Sequence, residues 1–411
     1  MTDRPPVRRL PRPLAEFLST EAAGGVVLLA AAVVALVWAN SPWSASYESL
    51  WSTALHLTGG GAGAPEDLRH WVNEALMALF FFVVGLEIKR ELVDGELRSP
   101  RVAALPAIAA VGGMAAPAVV YLAVNAGRPG VDGWGIPMAT DIAFAVGVVA
   151  VLGWRVPPPL KLFLLTLAIV DDIGAIVVIA VAYSEGIEPV ALAVAGATAV
   201  GIGVLRRLRI DSPAVHVVAA VVLWGATYRS GVHATLAGVV LGLLTPARPR
   251  PPARTSPAER LQHRLHPLTS FVVVPVFALA NAGVEIRAGA FEAPGTGAVA
   301  LGVGAGLVVG KLVGVAGATG LAVRLGVGRL PPGVTPRHVL GVGAVAGIGF
   351  TVSLFVAGLA FPPPRPGAPA LEEAATLGIL LGSVAAALLG TVLLAGAKGQ
   401  RSAQVGHPGG R

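Results

Sequence analysis

The stretch Leu160-Lys-Leu-Phe-Leu-Leu-Thr-Leu-Ala-Ile-Val-Asp-Asp-Ile-Gly-Ala-Ile-Val-Val-Ile-Ala-Val-Ala, residues 160–182, decides the fold. It is long and apolar enough to cross a bilayer as one helix, which takes about 20 residues. Yet Asp171 and Asp172 stand at its midpoint. A charge at the centre of a span costs about 2.5–3.5 kcal/mol on insertion scales, so two cost roughly 5–7 kcal/mol. A polar pair serving helix packing is the plain alternative. The functional reading is a proton and cation site facing a water-filled cavity. Neighbouring helical residues diverge by about 100° around the axis, so the two carboxylates cannot share one role.

The rest of the chain has the same character. Of 411 residues, 55% are apolar and only 13% charged, against roughly 25% charged in soluble domains. Mean hydropathy is +0.74. These values exclude a cytosolic enzyme and a disordered chain. Gly is abundant at 53 residues, as close helix packing in lipid allows, and Cys is absent, so thiolate chemistry is excluded. Twelve apolar runs are centred near Leu29, Phe81, Met114, Phe144, Val170, Ala195, Val221, Val239, Val274, Gly310, Gly349 and Ala385. The first run, Ala22 to Ala39, is longer than the core of a cleaved signal peptide.

Basic residues set the orientation. With loops assigned alternately to two sides, 24 of the 30 Lys and Arg fall on one side and five on the other. Lys311 alone lies inside a span. That asymmetry predicts twelve crossings with both termini in the cytoplasm. It also accounts for the net charge of +7 without nucleic acid. Trp38, Trp43, Trp51, Trp71, Trp134 and Trp224 fall at outer span ends, as an interfacial belt does. Pro42 to Leu57 reads as an amphipathic surface helix, followed by a Gly-rich turn region from His56 to Pro65.

Further ionisable groups lie where lipid is expected. Lys311 sits midway in the run Ala298–Val323, too deep to snorkel, and needs a buried carboxylate from another helix. Asp141 follows Thr140 in Gly133-Trp-Gly-Ile-Pro-Met-Ala-Thr-Asp-Ile-Ala-Phe-Ala, where Pro137 and the glycines interrupt a span. Thr140 suits the N-cap of the second half-helix and Asp141 its first turn. A second interrupted span runs from Val339 to Phe361, with glycines before Phe350-Thr351. Two broken spans, one in each half, point to a transporter's central site. Glu87 lies near the cytoplasmic end of the second span, either as a plain interfacial charge or lining an entry funnel. His233 begins the eighth span at the outer surface. His263 and His266 share a cytoplasmic amphipathic segment with Glu259, and as a metal pair they lack a third ligand.

Together these segments resemble the NhaA-type sodium/proton antiporters of bacteria. The similarity runs from Glu21-Ala-Ala-Gly-Gly to Leu377-Gly-Ile-Leu-Leu-Gly-Ser. It is carried by Gly85-Leu-Glu-Ile-Lys-Arg-Glu-Leu, Ala139-Thr-Asp-Ile-Ala-Phe-Ala, Leu167-Ala-Ile-Val-Asp-Asp-Ile-Gly-Ala-Ile, Ser230-Gly-Val-His-Ala-Thr-Leu-Ala-Gly, Gly310-Lys311 and Gly347-Ile-Gly-Phe-Thr-Val-Ser. All six in this order are specific, although each alone is weak.

The resemblance implies an all-α polytopic membrane protein of twelve transmembrane helices. Helices four and eleven are then broken and crossing, and inverted repeats cover about 101–182 and 298–397. A single transporter domain, 1–397, would precede a cytoplasmic tail, 398–411. The resemblance implies that Asp172 is the chief cation ligand, Asp171 its proton-carrying neighbour and Lys311 the partner of Asp171. Thr140 would add an oxygen, and Asp141 would balance half-helix N-termini. Glu87, Glu259, His263 and His233 would serve entry and pH response. The cargo would be Na⁺ or Li⁺ against H⁺, with no cofactor and no enzymatic step. The setting would be the bacterial inner membrane, with a homodimer as the possible assembly. Two departures stand out. Gln262 stands where the family pattern has Glu, and Glu259 where it has a base. The stretch His56–Leu68 is also shorter and richer in Gly than the hairpin that joins two protomers in the family.

An intramembrane aspartyl protease is the enzymatic rival, but it needs its two aspartates on different helices. An organic-anion transporter is the other rival, and it calls for a base without the Asp pair.

Overall fold

The computed structural model describes residues 12–55, 67–184, 186–208, 212–249, 254–287, 289, 291–362 and 365–397. The Gly-rich 56–66 region and the 398–411 tail lie outside them. Within the described residues the chain is helical, with one isolated bridge between Ala54 and Asp67.

Among the described residues, nine helices are long and apolar enough to cross a membrane, and a bent pair makes a tenth. The pair is Pro336–Val345 and Phe350–Ala360, bent by 49°. The expected runs near Val221 and Val239 become Pro213–Arg229, of 17 residues, and Thr235–Leu244, of 10. Ten residues rise only about 15 Å, half of a hydrocarbon core of about 30 Å. Hydropathy alone overestimates these two segments. Gly231 adopts φ +77° in the turn between them, and Thr245-Pro246 ends the second. The surface helix is also shorter than expected, at Ser44–Trp51. It is fastened by the Tyr47 hydroxyl, which donates to the Leu279 carbonyl at 2.9 Å.

The outer surface is apolar, as a lipid-facing wall requires. Val37, Val221 and Leu388 are all more than 60% exposed. Polar groups turn inward, and Asp171 and Lys311 are both 0% exposed.

Small residues bring the Lys311 helix into place. A Cβ on Gly314 would meet the carbonyl of Gly112, and one on Gly112 would meet Gly314 and Ala318. Backbone thus touches backbone between Pro100–Asn125 and Lys311–Arg324. Lys311 lies one turn before Gly314. Gly314→Val should therefore force the helices apart at an overpacking cost of about 1–3 kcal/mol. The expected result is a lower melting temperature in detergent, and an unchanged one would contradict the close approach.

Candidate cation site

Asp171 and Asp172 point to different surroundings, as their helical phase demands. Lys311 Nζ donates to Asp171 Oδ2 at 2.6 Å. Lys311 reaches this position just after a π-helical turn, Gly306–Gly310, of the kind often found at functional sites. The same ammonium donates to Thr140 Oγ1 at 3.1 Å, and that hydroxyl donates to the Ala346 carbonyl at 2.8 Å. The pair ties the Pro158–Ala182 helix to the Thr296–Arg324 span and to both broken segments.

The two breaks meet at Asp141. Its backbone N–H donates to the Ile348 carbonyl at 2.6 Å. Its side chain, not that of Thr140, is the N-cap of Ile142–Leu152, with Oδ1 accepting from Phe144 N at 3.3 Å. The preceding segment Val131–Met138 is a 3-10 helix, so the break falls one residue later than Thr140 capping would require. Asp141 Oδ2 accepts from the Thr351 hydroxyl at 2.5 Å and from Thr351 N at 3.1 Å. Thr351 lies in the first turn of Phe350–Ala360. One carboxylate therefore stands at the positive ends of two half-helices.

Asp172 faces a cavity of about 70 Å³ lined also by Thr140, Asp141, Thr351 and Glu87. Glu87 is 8% exposed, so it is a lining residue and not a plain interfacial charge. The lining also includes Glu21 and His266, whose carboxylate and imidazole contact each other. Among the described residues no group of three or more His, Cys, Asp and Glu is arranged to hold a metal. The oxygens offered around Asp172 are carboxylates and hydroxyls, which suit a hard monovalent cation as cargo.

Three expected funnel residues are elsewhere. Glu259 is exposed and forms a capping box with Ser256, whose Oγ accepts from Glu259 N at 3.1 Å. His263 is exposed to the side of the same helix. Helical phase explains the exchange: Gln262 is buried, and His266, one turn on, shares its face. His233 lies in a separate cavity, with Nε2 donating to the Tyr183 carbonyl at 2.8 Å. Glu21 and Thr351 are lining residues to which the sequence reading gave no role, and His266 lines the cavity where His263 was expected. The Gln262–His266 spacing was the available signal for choosing between the two histidines.

The model of the family described as Na+/H+ antiporter 1 matches residues 15–394. The chain belongs to the Na+/H+ antiporter 1 family. Its similarity to family members is high along nearly all of its length. It is 50% identical over 409 residues to Na(+)/H(+) antiporter NhaA 3 of Frankia alni, covering 92% of this chain and 87% of that one. It is 48% identical over 411 residues to Na(+)/H(+) antiporter NhaA of Acidovorax sp., covering 95% and 97%. It is 48% identical over 380 residues to Na(+)/H(+) antiporter NhaA of Pseudomonas putida, covering 92% and 96%. Membership of the Na+/H+ antiporter 1 family makes the chain a multi-pass secondary transporter and not an enzyme.

Proposed function

We propose that this protein exchanges cytoplasmic Na⁺ or Li⁺ for external H⁺ across the bacterial inner membrane, moving net charge as it does so. The observation that carries the reading is the division of labour between adjacent carboxylates. Asp172 opens on the cavity, while Asp171 is held by Lys311. A cation entering beside Asp172 needs the carboxylate ionised, and a proton there excludes it. Competition for one group makes the exchange obligatory. Two carboxylates can each carry a proton, so two H⁺ for one Na⁺ moves one net charge. Membership of the family supports the exchange of Na⁺ and H⁺.

In this reading twelve helices cross the membrane, with Pro213–Arg229 and Thr235–Leu244 as short crossings. Residues 101–182 and 298–397 form the inverted repeats of one transporter domain, 1–397. Their broken helices, four and eleven, cross at Asp141, whose contacts with Ile348 and Thr351 support this placement. Both termini and the 398–411 tail are cytoplasmic, and two copies form a homodimer. Asp141 balances the half-helix ends, Thr140 keeps Lys311 aligned, and Glu87 with the Glu21–His266 pair lines the cytoplasmic entry. An organic anion fits poorly, because the buried ammonium nearest the cavity is already engaged by Asp171.

Purified protein in proteoliposomes with an internal pH dye tests this directly. Na⁺ and Li⁺ should drive proton movement, and choline should not. A membrane potential set with K⁺ and valinomycin should change the rate. The rate should also rise from pH 5 towards pH 9, because ionised carboxylates bind the cation. A pH-independent rate would contradict the competition.

A further inference from the structure

A second cavity lies at the other end of the Leu68–Val93 span. The same helix presents Glu87 to the first cavity and Glu74 to the second, separated by about 20 Å of helix rise. The second cavity has a volume of about 470 Å³ and is lined by His70, Glu74, Glu188, Tyr228, Arg229 and His233. Glu74 is 9% exposed, and its Oε2 is buried with no hydrogen-bond partner. A buried ionisable group inside a span, with one oxygen left over and on the wall of a cavity, is a functional candidate by default.

The local backbone strengthens the case. Glu74 sits within a π-helical turn, Val72–Leu76, as Lys311 directly follows one. The turn is held rigidly. Trp224 Nε1 donates to the Glu74 carbonyl at 3.2 Å, and Trp71 stacks on Trp224 at 6.1 Å. The lining holds two carboxylates, Glu74 and Glu188, and one guanidinium, Arg229. One wall is also anchored to the Asp171–Asp172 helix. His233 bonds the carbonyl of Tyr183, the residue that ends Pro158–Ala182. The Tyr183 hydroxyl accepts from Gly135 N at 3.0 Å and donates to the Asp132 carbonyl at 2.9 Å, in the first half of the broken span.

We propose that Glu74 binds a partly hydrated monovalent alkali cation in this second cavity, giving the transporter a cation station at the mouth opposite Glu87. The Glu74 carboxylate supplies the charge, and the Tyr228 hydroxyl, held by His70 Nε2 at 3.2 Å, supplies a further oxygen. The volume accommodates the water the ion keeps. The choice of Na⁺ as occupant rests on the antiport reading.

The test uses full-length protein in detergent with ²²Na⁺ binding as the readout and choline as the ionic-strength control. Asp172→Asn should remove the main component and leave a weaker saturable one. Adding Glu74→Gln should abolish that remainder or weaken it at least tenfold. Glu74→Asp, which keeps the charge but withdraws it by one methylene, should weaken it less and covers the case in which Gln prevents folding. The proposal is overturned if Asp172→Asn leaves no saturable binding. It is equally overturned if the remainder is as strong in the Glu74 variants as without them. Parent exchange in proteoliposomes reports separately on the antiport reading, so the two failures are distinguishable.

Discussion

Asp172→Asn is expected to abolish Na⁺-driven proton release in proteoliposomes while leaving the protein inserted and folded. Asn keeps the shape and one oxygen, so the loss isolates the charge. Asp172 is the member of the acidic pair that lines the central cavity, whereas Asp171 does not line it. Truncating one member of a desolvated charge pair costs about 2–5 kcal/mol. Even about 3 kcal/mol is roughly 100-fold in affinity. Na⁺ should therefore no longer raise the melting temperature of Asp172→Asn. Asp171→Asn should also stop exchange, but for a different reason: it removes a proton carrier and the partner of Lys311. It should keep a measurable Na⁺-dependent rise in melting temperature. Near-normal exchange in either variant would refute the site, and identical binding losses in both would refute the division of roles.

That the two carboxylates face different surroundings was legible from two simple rules, whereas which of them meets Lys311 was implied only by the family resemblance. Adjacent helical residues diverge by about 100°, and a mid-span ammonium needs a carboxylate. Lys311 and Asp171 meet, although 140 positions separate them. The contact around Asp141 was less legible. Thr351 is uncharged, and its hydroxyl acquires a task only when the 346–349 break folds against Ala139–Asp141. No local pattern encodes a contact between two breaks. Choosing His266 over His263 needed the helical phase, which the burial of Gln262 supplies. Hydropathy located the segments near Val221 and Val239 but not their lengths. A glycine turn and a Thr-Pro end fix those, and both lie inside apolar sequence.

The largest structural effect is expected from Lys311→Ala. The ammonium bonds Asp171 and Thr140, and through Thr140 it reaches the carbonyl of Ala346. It therefore joins the Asp pair, the first break and the second break with a single side chain. Removing one member of a buried pair leaves the other charge uncompensated and typically costs about 3–5 kcal/mol. For a chain of this size that corresponds to a fall in melting temperature of about 4–6 °C. The loss should exceed the loss in Na⁺ binding, because Asp172 still faces its cavity. Lys311→Arg should rescue poorly. A planar guanidinium cannot occupy the slot of a compact ammonium, and it does not release a proton near physiological pH. Lys311→Ala combined with Asp171→Asn should recover part of the lost stability, since the stranded carboxylate is gone. A Lys311→Ala protein that melts like the parent would mean that the pair contributes nothing. A double variant less stable than Lys311→Ala would mean that Asp171 stabilises the fold without its partner. Either outcome would separate the ion pair from the packing of the broken helices, which would then rest on Asp141 and Thr351.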